Sequence, residues 1–483
     1  MERWGWRQRG VPLLLGLLLG TGSMPGLFAV TALAAPAAAG TTASQQVVTP
    51  VSAATSVDAV QRKKEQQEAL FLTAAVVSLA SYGDDRSLLA REWLRESGWS
   101  IASHETVSPV AEGRIHLVRK ELAEGKQAMI LSFPGTERKK DVEVDLKTHR
   151  VPFGGTNPQE FAAAAAGGMR QEDPLPMVHK GFDDYTMTAL FTTPVEALQG
   201  QTAGEALAAE LLARPQEILC LTGHSLGGAA ATLAAARLSD MGVSKEQLRV
   251  ITFGAPAVGD EAFARRYESR FALTRVVMEG DPVAAVLQSL SGHFVQFGEK
   301  VRWRQNRNSD RFAHQMVVYL DDALRSYYDE TPEGIITPLT AHEPKALSGG
   351  LYVVGPELQL DTHLTDDAAY MRRSLTESLA LQYAPVVFAP ASQQAASDLP
   401  SLMAAARQAG CQSVLLTHLR AEGSRTQEGV YRLSLVEELY DLQGHLLTMQ
   451  SHSMTTRDMT PLEAASCLQF LGREERDHAL GMS

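Results

Sequence analysis

The chain has 483 residues, 56 acidic against 44 basic side chains, and a formal net charge of −12 at neutral pH. Its apolar fraction of 45% and charged fraction of 21% are ordinary for a globular protein, which excludes a largely disordered chain and a polytopic membrane protein. The acidic balance argues against nucleic-acid binding, which needs a concentrated basic face, and gives no general attraction to anionic membranes. Three scattered cysteines predict neither a disulfide scaffold nor a zinc site.

The first forty residues have the order of a secretory signal peptide. Three arginines within the first ten residues precede a leucine-rich apolar run, and small residues follow up to Gly40. We predict a signal peptide over 1–39, cleaved after Ala35 or Ala39, and a linker over 40–56 that is rich in Thr, Ser, Ala and Val. The alternative is an uncleaved membrane anchor, although the leucine run is shorter than the roughly 20 residues that a spanning helix needs. The sequence therefore predicts a secreted or periplasmic protein.

Helical periodicity and turn residues predict two helices and a strand pair in the next part of the chain. The helices are expected at 57–82 and 87–97, and the strands at 114–120 and 127–133. The alanine-rich segment 161–168 ends in two glycines and is either a weak helix or a loop.

From residue 217 onward, strands and helices alternate along the chain. Strands are predicted at 217–222, 248–253 and 273–278, and helices follow that end at Met241, Arg270 and Tyr328. Alternation of this kind indicates a mostly parallel central sheet covered by helices on both faces. The expected fold class is therefore α/β.

A second, smaller α/β domain is predicted at the carboxy terminus. The proline-containing segment 331–349 is expected to link it, as residues 350–483, to a first domain over 57–330. Its strands are expected at 350–360, 384–388, 413–418, 430–440 and 445–453, and its helices at 365–382, 398–409 and 460–471. No motif identifies its role, so we interpret it as a binding or positioning module with an unknown protein partner.

The segment from Gly223 to Gly227 fits the pattern G-x-S-x-G between a predicted strand and a predicted helix, which is the context that this motif requires. A nucleophilic serine must lie on a sharp, strained turn, so its neighbours two positions away on each side must lack bulk. We predict Ser225 as the nucleophile, on an elbow formed with Gly223, His224 and Gly227. The alternative is a tight turn whose serine only caps the helix.

A serine nucleophile needs a general base that is oriented by an acid, and in this fold type the chain order is Ser, Asp or Glu, then His. Asp281 follows the strand 273–278 and precedes a proline, so we expect it at the same sheet edge as Ser225. Asp260 and Asp310 are rivals, and both lie in contexts typical of cap or turn residues.

Histidines beyond Asp281 are the candidates for the base. His293, His314, His342 and later histidines lie there, and we favour His314, which is expected to start an apolar helix, over His293, which precedes a strand-like run. Whichever of His293 and His314 is not the base is then interpreted as a structural histidine.

An oxyanion hole needs two hydrogen-bond donors. One should be the backbone N–H of Leu226, directly after the nucleophile, and the other should follow an early strand. Thr136 ends the run Pro134-Gly135-Thr136 after the strand 127–133, and its N–H and hydroxyl could both point inward. The alternative is a plain β-turn at the Pro-Gly pair.

Five blocks of residues in order resemble the class 3 lipases, the fungal-lipase-type group of the α/β-hydrolases. They are Leu131–Thr136, Val178–Phe182, Leu221–Gly228, Ile251–Pro256 and Val277–Val283. The resemblance covers about residues 57–330 and implies acyl-ester hydrolysis of lipids without a cofactor. It also implies roles for five residues: Ser225 as nucleophile, Asp281 as orienting acid, His314 as base, and Thr136 with Leu226 as oxyanion donors.

Two departures from the family pattern concern the segment after the oxyanion residue. Pro134 stands where the family usually has arginine, and Val142 stands where it usually has an aromatic residue. The family's lid corresponds here to 137–145, which is strongly charged, whereas a lid that opens at an oil surface should offer an apolar face. We therefore expect weak interfacial activation and a preference for soluble or short-chain esters, or for phospholipid-like amphiphiles.

Three functions stay open on the sequence. The first is a serine carboxylic-ester hydrolase of lipase or esterase type, which acts on a lipid or small ester and contacts a membrane peripherally. The second is a phospholipase or acyltransferase of the cell envelope, since acyl transfer and hydrolysis share an acyl-enzyme. The third is a non-catalytic envelope binding protein with a relic hydrolase fold, which the filled triad positions disfavour.

The cysteines leave one alternative open. Cys411 and Cys467 either pair in an oxidising compartment or remain two buried free thiols. Cys220 lies in the strand before the elbow and is expected to be a core residue.

Overall fold

The computed structural model describes residues 56–83, 85–122, 125–135, 149–167, 176–192, 200–283, 293–305, 311–332, 344–390 and 398–482. The predicted signal peptide, most of the linker after it, Thr136, the charged segment 137–145, Asp310, His342 and much of the boundary 331–349 lie outside the described residues. Within the ranges given, no helix combines the length and apolarity that crossing a bilayer requires.

A seven-stranded sheet forms the centre of the first half of the chain. Its strands are β1 Ser100–Val107, β2 Glu112–Glu121, β3 Gln127–Phe133, β6 Leu219–His224, β7 Leu248–Phe253, β8 Ala272–Met278 and β9 Glu299–Trp303. They are ordered β1-β2-β3-β6-β7-β8-β9. The pairs β1–β2 and β2–β3 are antiparallel, and every pair from β3 to β9 is parallel. This confirms the predicted mostly parallel sheet.

Helices cover both faces of this sheet. They are α1 Ser56–Ala80, α2 Asp85–Glu96, α3 Pro158–Ala165, α4 Lys180–Met187, α5 Ala203–Ala213, α6 Leu226–Asp240, α7 Glu261–Tyr267 and α8 Met316–Glu330. The short strands β4 Arg150–Pro152 and β5 Met177–His179 form a separate antiparallel pair.

The central strands read as continuous apolar runs because both of their faces are buried. Neighbouring residues of one strand enter opposite cores: Leu131 packs with α4 and α6 on one face, and Ile130 packs with α1 and α8 on the other. Because β6, β7 and β8 run parallel, the carboxyl ends of β6 and β8 lie at one edge of the sheet. Open α/β sheets place their sites at this edge.

The second half of the chain is a smaller α/β unit. Its strands are β10 Lys345–Gln359, β11 Tyr383–Phe388, β12 Cys411–Gly423, β13 Tyr431–Asp441 and β14 Leu446–Thr455, in the order β11-β10-β12-β13-β14. Its helices are α9 Ala368–Gln382, α10 Leu399–Gln408, α11 Pro461–Leu471 and α12 Arg473–Ala479. The predicted fold class, α/β with a mostly parallel central sheet and a further, smaller α/β unit after it, is confirmed.

Several elements differ from the sequence-based expectation, and three of them illustrate why. β1 was not expected, because most of its side chains are exposed at a sheet edge and give no apolar alternation. β12 is twice as long as predicted because β10 pairs with it on one side and β13 on the other. α8 begins at Met316 and not at His314, since the backbone of Gln315 is extended, with φ −74° and ψ 136°.

All three cysteines are free thiols. Cys220 is buried in β6, and burial raises the pKa of its thiol to about 12. Cys411 is also buried and Cys467 is partly buried. Of the two alternatives for this pair, the structure shows two free thiols.

Candidate active site

The turn between β6 and α6 holds Ser225 in a strained backbone conformation. Among the described residues, Ser225 is the one non-glycine residue with a positive φ, at 56°. Its N–H donates to the carbonyl oxygen of Phe253 at 2.9 Å, and its side chain makes no capping hydrogen bond to α6. A positive φ is costly for an L-residue and persists only where the surroundings enforce it. The hydroxyl is therefore not used as a helix cap.

The glycines on either side of Ser225 are required by close backbone approach. A Cβ at Gly223 would lie 2.3 Å from the carbonyl carbon of Gly227. A Cβ at Gly227 would lie 2.0 Å from the carbonyl oxygen of Phe133, at the end of β3. Both distances are far below a van der Waals contact, so the elbow closes only with glycine at these two positions.

His314 joins the serine to an acid through both of its ring nitrogens. Nε2 lies 2.9 Å from Oγ of Ser225, and Nδ1 lies 2.9 Å from Oδ2 of Asp281. With the ring neutral and Nδ1 protonated, Nε2 presents a lone pair to the serine hydroxyl. The three predicted triad residues, distant in sequence, are therefore brought together in the described structure.

Asp281 lies in the turn after β8 and is held by two further donors. Its Oδ1 accepts the N–H of Val283 at 2.8 Å, and its Oδ2 accepts the hydroxyl of Tyr319 at 2.5 Å. Burial raises the pKa of Asp281, but the hydrogen bond and charge of His314 and the Tyr319 hydroxyl outweigh it, and the pKa lies below its ordinary value. The carboxylate therefore stays ionised and faces Nδ1–H of His314.

Tyr319 is a residue of this site that sequence reasoning missed. Its hydroxyl accepts the N–H of Met278 at 3.0 Å and donates to Asp281. Burial and the neighbouring carboxylate raise the pKa of Tyr319, so the hydroxyl keeps its proton and remains a donor. Its one sequence signal is a tyrosine on the buried side of the helix that follows His314.

Gly254 provides the space in which the acid and its partners meet. Its φ is +58°, and a Cβ there would lie 2.6 Å from Oδ2 of Asp281 and 2.8 Å from the hydroxyl of Tyr319. A side chain at this position would therefore both strain the backbone and displace the carboxylate.

We expect Gly254→Ala to lower kcat by about tenfold or more and to destabilise the fold by about 1–3 kcal/mol, because overpacking adds to backbone strain. Initial rates of the ester hydrolysis that the sequence predicts measure the change in kcat, and urea unfolding measures the change in stability. The matched control is Gly410→Ala, where φ is +75° and no heavy atom lies within 4 Å of the added Cβ. It should show the strain without the loss of turnover, and equal losses of kcat in both variants would refute the role of Gly254.

His224 and Tyr82 connect the elbow to the loop of the predicted base. Nδ1 of His224 lies 2.6 Å from the hydroxyl of Tyr82, and Nε2 lies 2.6 Å from the carbonyl oxygen of His314. Burial lowers the pKa of His224 to about 3, and the neighbouring His314 adds to this shift. The ring is therefore neutral near pH 7, accepts from Tyr82 and donates to His314.

The buried neutral state of His224 should make stability depend on pH. Because the pKa is about 3 in the fold and ordinarily 6.5, the unfolded chain binds a proton below pH 6.5 that the folded chain does not. The contribution of His224 to stability should therefore fall as pH decreases through 6.5, with a slope that approaches about 1.4 kcal/mol per pH unit near pH 5. In urea unfolding at pH 7, 6 and 5, the free-energy difference between the wild type and His224→Gln should change with that slope. A difference that is constant over this range would contradict the assignment.

The rival candidates lie elsewhere. Asp260 is the N-cap of α7, where its Oδ1 accepts the N–H of Phe263 at 2.9 Å. His293 is exposed, whereas Ser225, Asp281 and His314 are all buried. Asp310 and the predicted oxyanion residue Thr136 lie outside the described residues.

The other predicted oxyanion donor is the backbone N–H of Leu226, which lies at the amino terminus of α6. The helix starts at Leu226, and the first N–H groups of a helix have no partner within it. The helix dipole adds partial positive charge at the same end. This arrangement suits the stabilisation of a negative oxygen beside Ser225.

Comparisons with known proteins point to one family. Residues 130–290 match the model of the family described as lipase (class 3). A secreted mono- and diacylglycerol lipase 2 of Gibberella zeae is 30% identical over 199 residues, which are 37% of this chain and 44% of that protein. The chloroplastic phospholipase A1-Igamma1 of Arabidopsis thaliana is 27% identical over 223 residues, or 41% of this chain and 38% of that protein.

Solved structures of fungal lipases are also similar to this chain. The lipase of Rhizopus microsporus var. chinensis aligns with 54% of this chain and 86% of its own, at 18% identity and a TM-score of 0.38. This chain spans less than half the length of the curated relatives that it matches. The match of residues 130–290 to the class 3 lipase model spans all five sequence blocks and confirms the resemblance that they predicted.

Proposed function

We propose that the chain is a serine carboxylic-ester hydrolase that cleaves acyl esters of lipids, with Ser225, His314 and Asp281 as its triad. One observation carries the proposal: two 2.9 Å hydrogen bonds link the serine, histidine and aspartate in series, and the serine lies on a strained elbow. The relatives named as lipases support the same class of substrate.

In the proposed reaction, His314 Nε2 takes the hydroxyl proton of Ser225 as Oγ attacks the ester carbonyl carbon. The ionised Asp281 stabilises the imidazolium that forms. The N–H of Leu226, together with Thr136, holds the negative oxygen of the tetrahedral intermediate. His314 then returns the proton to the leaving alcohol, and an acyl-enzyme remains on Ser225.

Deacylation repeats these steps with water as the nucleophile. His314 removes a proton from water, the carboxylic acid leaves, and Ser225 regains its hydroxyl proton. An acceptor alcohol in place of water would make the same site an acyltransferase, because both reactions share the acyl-enzyme.

The proposed substrates are soluble or short-chain esters and phospholipid-like amphiphiles. The charge of the segment 137–145 argues against an oil-surface lid, and a relative named phospholipase A1 favours the amphiphiles. The basic, apolar and small-residue order of 1–39 supports secretion or a periplasmic location, with peripheral contact to a membrane.

The test is a substrate profile of the full chain combined with active-site labelling. We expect hydrolysis of short p-nitrophenyl esters and of phospholipid vesicles. A fluorophosphonate probe should modify one peptide, the one that carries Ser225, as read by mass spectrometry. Absence of turnover would favour the non-catalytic alternative, and a label on another serine would reject the triad. A sharp rise in rate above the solubility limit of a substrate would refute weak interfacial activation.

A further inference from the structure

The segment 311–315, which carries the proposed base, is anchored at both ends. At one end, the carbonyl oxygen of His314 accepts Nε2–H of His224 at 2.6 Å. At the other end, Arg311 lies three residues before His314 and reaches away from the sheet, into the second half of the chain. Since no regular element contains the segment, its position depends on such anchors.

Arg311 donates to two backbone carbonyls of the C-terminal domain. Its Nη2 contacts the oxygens of Thr456 and Met459, the latter at 2.6 Å. Hydrogen bonds from a charged donor contribute more than neutral ones, and the guanidinium is charged at any ordinary pH. This contact therefore ties the segment 311–315 directly to the loop between β14 and α11.

The loop that receives Arg311 is itself fixed. Thr456 is 1% exposed, and its N–H donates to the carbonyl oxygen of Tyr431 at 2.9 Å. Its hydroxyl accepts the N–H of Tyr431, also at 2.9 Å. Met459 is likewise buried. A rigid acceptor pair transmits position, whereas a mobile loop would not.

The C-terminal domain also packs against α8, the helix that follows His314. Leu324 and Tyr328 of α8 pack against the core formed by α9 and α11. Arg325 of α8 bonds to Asp367 at 2.8 Å across the same boundary, and both side chains are largely buried. The C-terminal domain thus contacts the chain on both sides of His314, before it through Arg311 and after it through α8.

We propose that Arg311 is a positioning residue through which the C-terminal domain sets the placement of His314 against Ser225. This inference rests on the proposed function and assigns a role to a domain that carries no motif. Substrate binding does not enter, since Arg311 acts through the backbone of its own segment. The loss of Arg311 should accordingly affect turnover and leave KM nearly unchanged.

The experiment compares Arg311→Gln, Arg311→Lys and a matched control in the full chain. The control is Arg373→Gln: Arg373 also donates to backbone carbonyls across the same boundary, those of Tyr328 and Pro332, but at the far end of α8. We expect Arg311→Gln to lower kcat by about ten- to a hundredfold, as small misplacements of catalytic groups do. Arg311→Lys, which keeps one charged donor, should recover part of the loss, and Arg373→Gln should retain the wild-type kcat.

Two results would overturn the inference. One is an unchanged kcat in Arg311→Gln, and the other is an equal loss in Arg311→Gln and Arg373→Gln, which would indicate general destabilisation. If Arg311→Gln does not fold by circular dichroism, Arg311→Lys decides: a lowered kcat supports the role, and a wild-type kcat rejects it.

A second readout separates this inference from the proposed function. If the wild type shows no ester turnover that depends on Ser225, the proposed function fails, and the proton on Nδ1 of His314 is followed instead by its low-field NMR signal. A shift or broadening of this signal in Arg311→Gln but not in Arg373→Gln supports the positioning role. An unchanged signal in Arg311→Gln rejects it.

Discussion

Replacing Ser225 with alanine should lower kcat for ester hydrolysis by about 10⁵–10⁶-fold, the loss seen when a Ser-His-Asp enzyme loses its nucleophile. The physical reason is that Nε2 of His314, 2.9 Å from Oγ, then faces a methyl group and no acyl-enzyme can form. A residual rate of about 10³ over water is expected from the oxyanion donors and substrate binding alone.

Initial rates on a p-nitrophenyl ester and labelling by a fluorophosphonate measure this prediction. Ser451→Ala, at an exposed serine of β14, is the matched control and should keep both signals. Near wild-type turnover in Ser225→Ala would show that another group carries the reaction, whatever the geometry of the elbow.

Replacing Asp281 with asparagine should lower kcat by about 10⁴-fold while leaving the fold intact. The amide is isosteric with the carboxylate but uncharged, so it cannot stabilise the imidazolium and can hold His314 in the wrong tautomer. Because the pKa of Asp281 lies below its ordinary value, the lost charge is present in the wild type throughout the neutral range. The change should therefore affect kcat at neutral pH and not only in acid.

The matched control is Asp260→Asn. Asp260 caps α7 through its Oδ1, and asparagine is as good an N-cap as aspartate, so both activity and stability should be retained. A second variant, Tyr319→Phe, removes one donor to Asp281 and should give a much smaller loss than Asp281→Asn. If Asp281→Asn reduced kcat by less than Tyr319→Phe, the assignment of Asp281 as the orienting acid would be wrong.

The parts of the site that the sequence predicts are those encoded within short segments. The strand, elbow and helix around Ser225 follow one another in the chain. Their small residues indicate close backbone packing directly in the sequence. Asp281 was predictable because it directly follows a strand whose end had to lie at the same sheet edge as the elbow. The choice of His314 rested on chain order and on the family resemblance, and the structure places it between the other two.

The remaining contacts join residues whose separation in sequence carries no local signal. Tyr82 reaches His224 across 142 positions, and Arg311 reaches Thr456 across 145. Neither residue lies in a motif, and tyrosine after a helix or arginine in a polar loop is ordinary at a solvated surface. Tyr82 meets its partner because α1 packs against the central sheet. Arg311 meets its partners because the C-terminal domain packs against α8.

The contact of Arg311 with the C-terminal domain also determines when, during synthesis of the chain, the site can be completed. A nascent chain that ends at residue 330 already carries all three proposed triad residues, but it lacks the carbonyls of Thr456 and Met459. The network around His314 therefore closes only after synthesis has passed residue 459. For a protein that we propose to be exported and to cleave lipid esters, a segment made well after the three triad residues therefore supplies the contacts that complete the site.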